Sequence, residues 1–147
     1  MLPYNITYTF SIADLRAGID EEVSKAAQRA VTNEGASLYD TLKIYSKDRP
    51  EVERAISDAM DSVTLRFVDM AELEADASAY TLKIYAPDIT EAQALLEKEI
   101  SRFVTLKTVS DWFAKRYPDI GKYYADMADN ALARIVVAVR TRVAPTR

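Results

Sequence analysis

Paired carboxylates and one basic–aromatic cluster are the residues of this chain that could do chemistry. Asp126 and Asp129 stand three apart, as do Asp58 and Asp61, so each pair would share one helix face. Such pairs can hold a divalent cation or pass a proton to a substrate. The chain has no His and no Cys. That removes the commonest general base and metal ligand, and all thiolate chemistry. A carboxylate-bridged metal site in a helical bundle would also want a Glu-x-x-His pair, which this sequence cannot supply. The four aspartates have surface-like neighbours, and a solvated helix face explains them more simply. Gly18, Gly35 and Gly121 are too scattered for a phosphate-cradling loop, and no Ser lies in a nucleophile-elbow pattern. Tyr117, Tyr123 and Tyr124 lie near Lys115, Arg116 and Lys122. These could stack single-stranded nucleic acid, but interhelix packing with the hydroxyls at the rim is the simpler reading. The residues therefore predict no enzyme, no cofactor and no metal.

The elements that would position these groups centre on Asp88–Arg142, read as two long helices joined at Pro118. Asp88-Ile89-Thr90-Glu91 has the pattern of a capping box. Leu95, Leu96, Ile100, Phe103, Val104, Val109, Trp112 and Phe113 follow at helical spacing. The helix over 89–117 should stop at Tyr117, because Pro118 disfavours helical geometry in the residue before it. At 1.5 Å per residue it would be about 45 Å long, the spine of the domain. The helix over 119–142 would carry Ile120, Tyr123, Tyr124, Met127, Leu132, Ile135, Val136 and Val139. Ala125, Ala128, Ala131 and Ala133 would keep one face thin, and the short connection makes the pair antiparallel.

Upstream, Tyr4, Ile6, Tyr8 and Phe10 alternate with polar residues, predicting a strand over 4–10. Ser11 can cap a helix over 12–32 striped by Ile12, Leu15, Ile19 and Val23. Gly18 costs that helix about 1 kcal/mol against Ala. Thr41-Leu42-Lys43-Ile44-Tyr45 recurs as Thr81-Leu82-Lys83-Ile84-Tyr85. The first copy has helical spacing (helix over 36–46) and the second has strand spacing (strand over 79–86), so their neighbours should give them different conformations. A helix over 49–70, opened by Pro50 in its tolerated first turn, would bury Val52, Ile56, Met60, Val63 and Phe67. Glu72, Glu74 and Asp76 read as an acidic connection. The predicted fold is mainly α: a bundle of four to five helices with a long C-terminal helical hairpin and a small antiparallel two-stranded β ribbon.

At 147 residues, one domain with a real core is expected. No apolar run reaches the roughly 20 residues of a membrane span. The start lacks the basic region of a signal peptide, and an intracellular or virion setting is expected. The net charge of −4 argues against general nucleic-acid binding, and no sequence-specific nucleic-acid partner is expected. The charge is unevenly spread. Residues 1–78 hold 8 Lys and Arg against 15 Asp and Glu, a net of −7; residues 79–147 hold 11 against 8, a net of +3. Two ordinary solvated faces would explain this, as would a molecule suited to head-to-tail contact with its own copies.

Several pieces together resemble the small helical head–tail connector or adaptor proteins of the neck of tailed phages and prophages. They are Glu51-Val52-Glu53-Arg54-Ala55-Ile56-Ser57-Asp58-Ala59, the strand Tyr80–Tyr85 running into a long helix, Asp111-Trp112-Phe113 near that helix's end, Tyr123-Tyr124-Ala125-Asp126-Met127-Ala128, and a closing Arg142…Pro145…Arg147. The likeness covers residues 36–147 and rests on pattern. It implies a structural virion protein that assembles as a homo-oligomeric ring on the portal and presents a docking surface to tail or neck proteins. It carries no catalytic residues. Arg140, Arg142 and Arg147 are the candidate interface residues. The rivals are a helical regulatory or adaptor dimer and, less favoured, a small carboxylate-based enzyme.

Overall fold

The N-terminal alternation forms a strand, β1 (Ile6–Ser11), whose Ile6, Tyr8 and Phe10 are buried while Thr7 and Thr9 face out. A computed structural model describes residues 6–32, 34–67, 70–85 and 93–142. After β1 come α1 (Ile12–Arg29), the single turn α2 (Tyr39–Leu42), a 3-10 turn at Ser46–Asp48 and α3 (Arg49–Leu65). Strands β2 (Ala71–Ala75) and β3 (Ala79–Ile84) follow, and then α4 (Gln93–Ala114) and α5 (Pro118–Arg142). The fold is mainly helical, with two long C-terminal helices and a small antiparallel sheet.

The sheet has three strands where a two-stranded ribbon was expected. β3 lies in the middle, with β1 and β2 antiparallel on either side. β1 meets β3 with Ile6 opposite Ile84 and Phe10 opposite Tyr80. The acidic connection is itself the edge strand β2. Its glutamates alternate with Ala71, Leu73 and Ala75, and Glu74 pairs with Lys83 of β3 at 3.3 Å. Asp76 closes the β2–β3 turn, its Oδ1 accepting from the backbone N–H groups of Ser78 and Ala79 and from the Ser78 hydroxyl. These bonds hold its carboxyl below the usual carboxylate range.

Ser11 caps α1 as expected, accepting from the Asp14 N–H at 3.3 Å. The helix ends at Arg29 and not at 32. Val31 turns to bridge Ser37, and Gly35 takes the left-handed conformation (φ 84°) that closes the loop. The helix expected over 36–46 is reduced to α2. The Leu42 carbonyl accepts from the Trp112 indole N–H at 2.7 Å, and Lys43 is extended. The two Thr-Leu-Lys-Ile-Tyr copies therefore differ: the first closes α2, and the second runs along β3. α3 buries Val52, Ile56, Met60 and Val63 but stops at Leu65, five residues early, with Phe67 buried in the turn beyond it.

α4 is the spine. It packs against α5, α3, α1 and β1, and burial reaches around it: Leu96, Ile100, Phe103, Leu106, Val109, Trp112 and Phe113 are all inside. Leu95, expected on the stripe, is 65% exposed. The helix ends at Ala114, where Arg116 and Tyr117 both donate to the Phe113 carbonyl. Its 22 described residues span about 33 Å and end three residues before Tyr117; the start expected at 89 lies outside the described residues. The Asp88–Glu91 capping pattern lies outside the described residues. α5 starts at Pro118 and returns antiparallel, burying Tyr124, Ala128, Ala131, Leu132 and Ile135. The small side chains at 128 and 131 admit α4 closely, as does Gly121, where an added Cβ would stand 3.0 Å from the Ala114 backbone. Among the described residues, no helix is long and apolar enough to cross a membrane.

Candidate functional site

The carboxylate pairs do not join other acids in a cation-sized cluster among the described residues. Asp126, Asp129, Asp58 and Asp61 are all exposed. Among the described residues, no group of three or more acidic side chains could hold a metal ion.

The basic–aromatic cluster is divided between separate tasks. Tyr124 is buried against Phe113, and its hydroxyl donates to Glu22 at 3.1 Å. Burial first, and then the Glu22 charge, push its pKa up to about 12. Tyr8 is raised likewise to about 12, by burial first and then by Glu97. Neither ring can serve as a base near neutrality. Tyr117 is half-buried, and Tyr123, expected in the core, is 61% exposed. Arg116 sits over the Trp112 ring, its Cζ 3.5 Å from the centroid, and donates two 2.8 Å bonds to the Glu51 carboxylate. That fork ties the end of α4 to the start of α3 and leaves Arg116 unavailable to a phosphate.

Glu51 carries a pH signature. The Arg116 hydrogen bond holds its carboxyl below the ordinary value, helped by the charges of Arg116, Lys115 and Arg54 and opposed by burial. A depressed folded-state pKa stabilises the protein above the unfolded value, about 4.3. That contribution is lost as pH falls through the folded value. Glu51 is 48% exposed, so screening limits the contribution to about 0.5–1 kcal/mol. Glu51→Gln should lower stability by that amount at pH 7 and flatten the acid limb of urea midpoint against pH. An unchanged acid limb would show that the pair is not formed in solution.

Two grooves remain. One, of about 300 Å³, runs between α3 and α4. Its lining includes Thr108, whose buried hydroxyl has no partner among the described residues. Of its three acids, Glu51 and Asp111 are paired with Arg116 and Lys107, and Asp58 is exposed at the rim. The other groove, of about 460 Å³, lies beside β1 between α1 and α4, with Thr9, Ser11, Leu15, Gly18, Ser101 and Thr105 in its walls.

The sheet edges are the other open feature. The Ile12 N–H reaches the Ser78 carbonyl, so by alternation Ile6, Tyr8 and Phe10 make the ladder bonds to β3. The backbone groups of Thr7 and Thr9 then point away from the sheet. On the opposite side, Asp76 and Tyr85 bond to Ala79 and Met70. Glu72 and Glu74 therefore make the β2 ladder bonds, while Ala71, Leu73 and Ala75 point outward. None of these outward groups has a backbone partner among the described residues. Two sequence signals accompany these edges: residues 4–10 carry no charge, and Glu72-Leu73-Glu74 alternates with period two, a pattern that a solvated connection shares.

Of the candidate interface residues, Arg140 and Arg142 lie in the last turn of α5, and Arg147 is outside the described residues. The chain matches no family model, no curated protein and no solved structure.

Proposed function

We propose that the chain is a non-enzymatic structural subunit of a tailed-phage neck, a head–tail connector that assembles as a ring on the portal. The observation that carries this reading is the contrast between its polar groups and its sheet. The charged and aromatic clusters that could have done chemistry are exposed or tied up in pairs that join helices. The sheet, by contrast, presents outward backbone groups on both edges, and those edges differ in charge. A surface with two unlike open sides suits head-to-tail assembly, which closes as a ring when the rotation permits. The resemblance of residues 36–147 to neck proteins supplies the setting, with portal and tail or neck proteins as partners and the virion as location.

The arginines at the C-terminal end would meet an acidic surface, on a neighbouring copy or on a partner. Arg140 and Arg142 have a local reason for their position, since a helix C-terminus favours cations by a few tenths of a kcal/mol, about 0.3–1 at most. Changing Arg142 and Arg147 together to Glu should leave the melting of the isolated chain nearly unchanged. It should weaken assembly most at low salt, where exposed charges are least screened. Particle assembly by that double variant at the parent level, in low and high salt alike, would remove the arginines from the interface.

A further inference from the structure

We infer that copies of this chain join through their sheets, β1 of one copy pairing in parallel with β2 of the next. The inference rests on the ring reading above and names the surfaces that would make the ring. β1 and β2 run in the same direction, since each is antiparallel to β3. A neighbour brought alongside without being turned over therefore offers β2 parallel to β1.

The positions of the outward groups fit that arrangement. In a parallel ladder, one residue bonds to the two residues that flank its partner. Thr7 set beside Glu72 of the next copy would bond to Ala71 and Leu73, and Thr9 set beside Glu74 would bond to Leu73 and Ala75. These are the residues whose backbone groups point outward on each edge. The same register matches the faces. The hydroxyls of Thr7 and Thr9 fall beside the glutamates on the solvent side, while Leu73 and Ala75 fall opposite Tyr8 and Phe10 on the core side. There they face the groove beside β1, whose walls include Leu15 and Gly18.

Other pairings do less. An antiparallel β1–β2 junction would put Thr7 or Thr9 opposite Ala71, Leu73 or Ala75 and so turn one core outward. Pairing β2 with β2 would set glutamates against glutamates, which is unfavourable. Pairing β1 with β1 matches faces but closes as a dimer, leaving the β2 edge and Leu73 uncovered. Gly18 adds an independent observation. It sits mid-helix, where Gly is the poorest residue after Pro. Yet a Cβ there would meet just one described atom, Thr105 Oγ1, at an ordinary 3.9 Å. Packing inside the subunit does not demand a glycine at this position, whereas a strand lying in the groove would use the space.

The chain has no cysteine, so introduced ones report cleanly. Neighbouring strands lie about 4.8 Å apart, within the Cα separation a disulfide spans. Purified full-length Thr9→Cys and Glu74→Cys chains, mixed and oxidised without any portal, should form the mixed disulfide. Neither variant alone should form a disulfide-linked dimer. Thr9→Pro removes an N–H that makes no bond inside the sheet and should weaken self-association at least about tenfold. Gly18→Leu should weaken it too, whereas Gly18→Ala should raise the melting temperature. Dimers from Thr9→Cys alone would replace the inference with a two-fold contact. Failure of the mixed pair to cross-link, or parental association by Thr9→Pro, would overturn it. Portal binding is a separate readout: a chain that binds a portal without the mixed disulfide would sink this inference and spare the neck reading.

Discussion

Replacing Trp112 with alanine is expected to destabilise the fold by about 3–5 kcal/mol. That is a large share of the roughly 5–15 kcal/mol that holds a typical domain together. Trp112 is 3% exposed, and it joins parts of the chain that are far apart in sequence. Its indole N–H ends α2 by taking the Leu42 carbonyl, seventy residues away, and its face carries Arg116, which in turn holds Glu51 of α3. Truncation would empty the pocket and leave that carbonyl without its donor. Trp112→Phe keeps most of the apolar area and loses the donor, so it should cost less, about 1–3 kcal/mol. Both variants lose the chain's single tryptophan, so urea unfolding should be followed by circular dichroism. A Trp112→Ala midpoint equal to the parent's would show that the α2–α4 junction does not bear on stability.

Gly121→Ala should also destabilise, by about 1–3 kcal/mol. The new Cβ would meet the Ala114 N and Cα at 3.0 Å and the Phe113 carbonyl carbon at 3.2 Å. These are backbone atoms of a helix end and cannot swing aside. Parting them would also strain the bond from the Ser110 hydroxyl to the Gly121 carbonyl, a buried 3.1 Å contact. Helix propensity works the other way, favouring Ala by up to about 1 kcal/mol, so the steric cost must exceed that gain. Gly18→Ala has the propensity gain without the collision. The two substitutions, identical in chemistry, should therefore shift the thermal midpoint in opposite directions. A stabilised Gly121→Ala would mean that α4 and α5 do not approach so closely at the turn.

The elements that could be read from sequence were those whose burial follows a single period. β1 shows its two-residue alternation, and α3 shows its stripe from Val52 to Val63. α4 was legible because Pro118 bounds it, but its burial exceeds one stripe, since it has neighbours on several sides. β2 was missed because glutamates on an edge strand look like a solvated loop until a partner such as Lys83 is known. The first Thr-Leu-Lys-Ile-Tyr copy leaves the helix where Trp112 captures Leu42, a contact that no local pattern encodes. The same holds for the candidate site. The tyrosines and cations near Pro118 adjoin in sequence, but Arg116 turns to Glu51 and Tyr124 to Glu22, both distant along the chain. The exposed aspartates were correctly legible as a solvated face.

If the chain is the ring-forming subunit proposed above, the mass of its assembled species will show it. Native mass measurement of the purified chain, alone and with a candidate portal ring, should show head-to-tail multiples of one subunit that close at a fixed number on the portal. A species that stops at two copies and ignores the portal would contradict the account, and would favour a two-fold adaptor in its place.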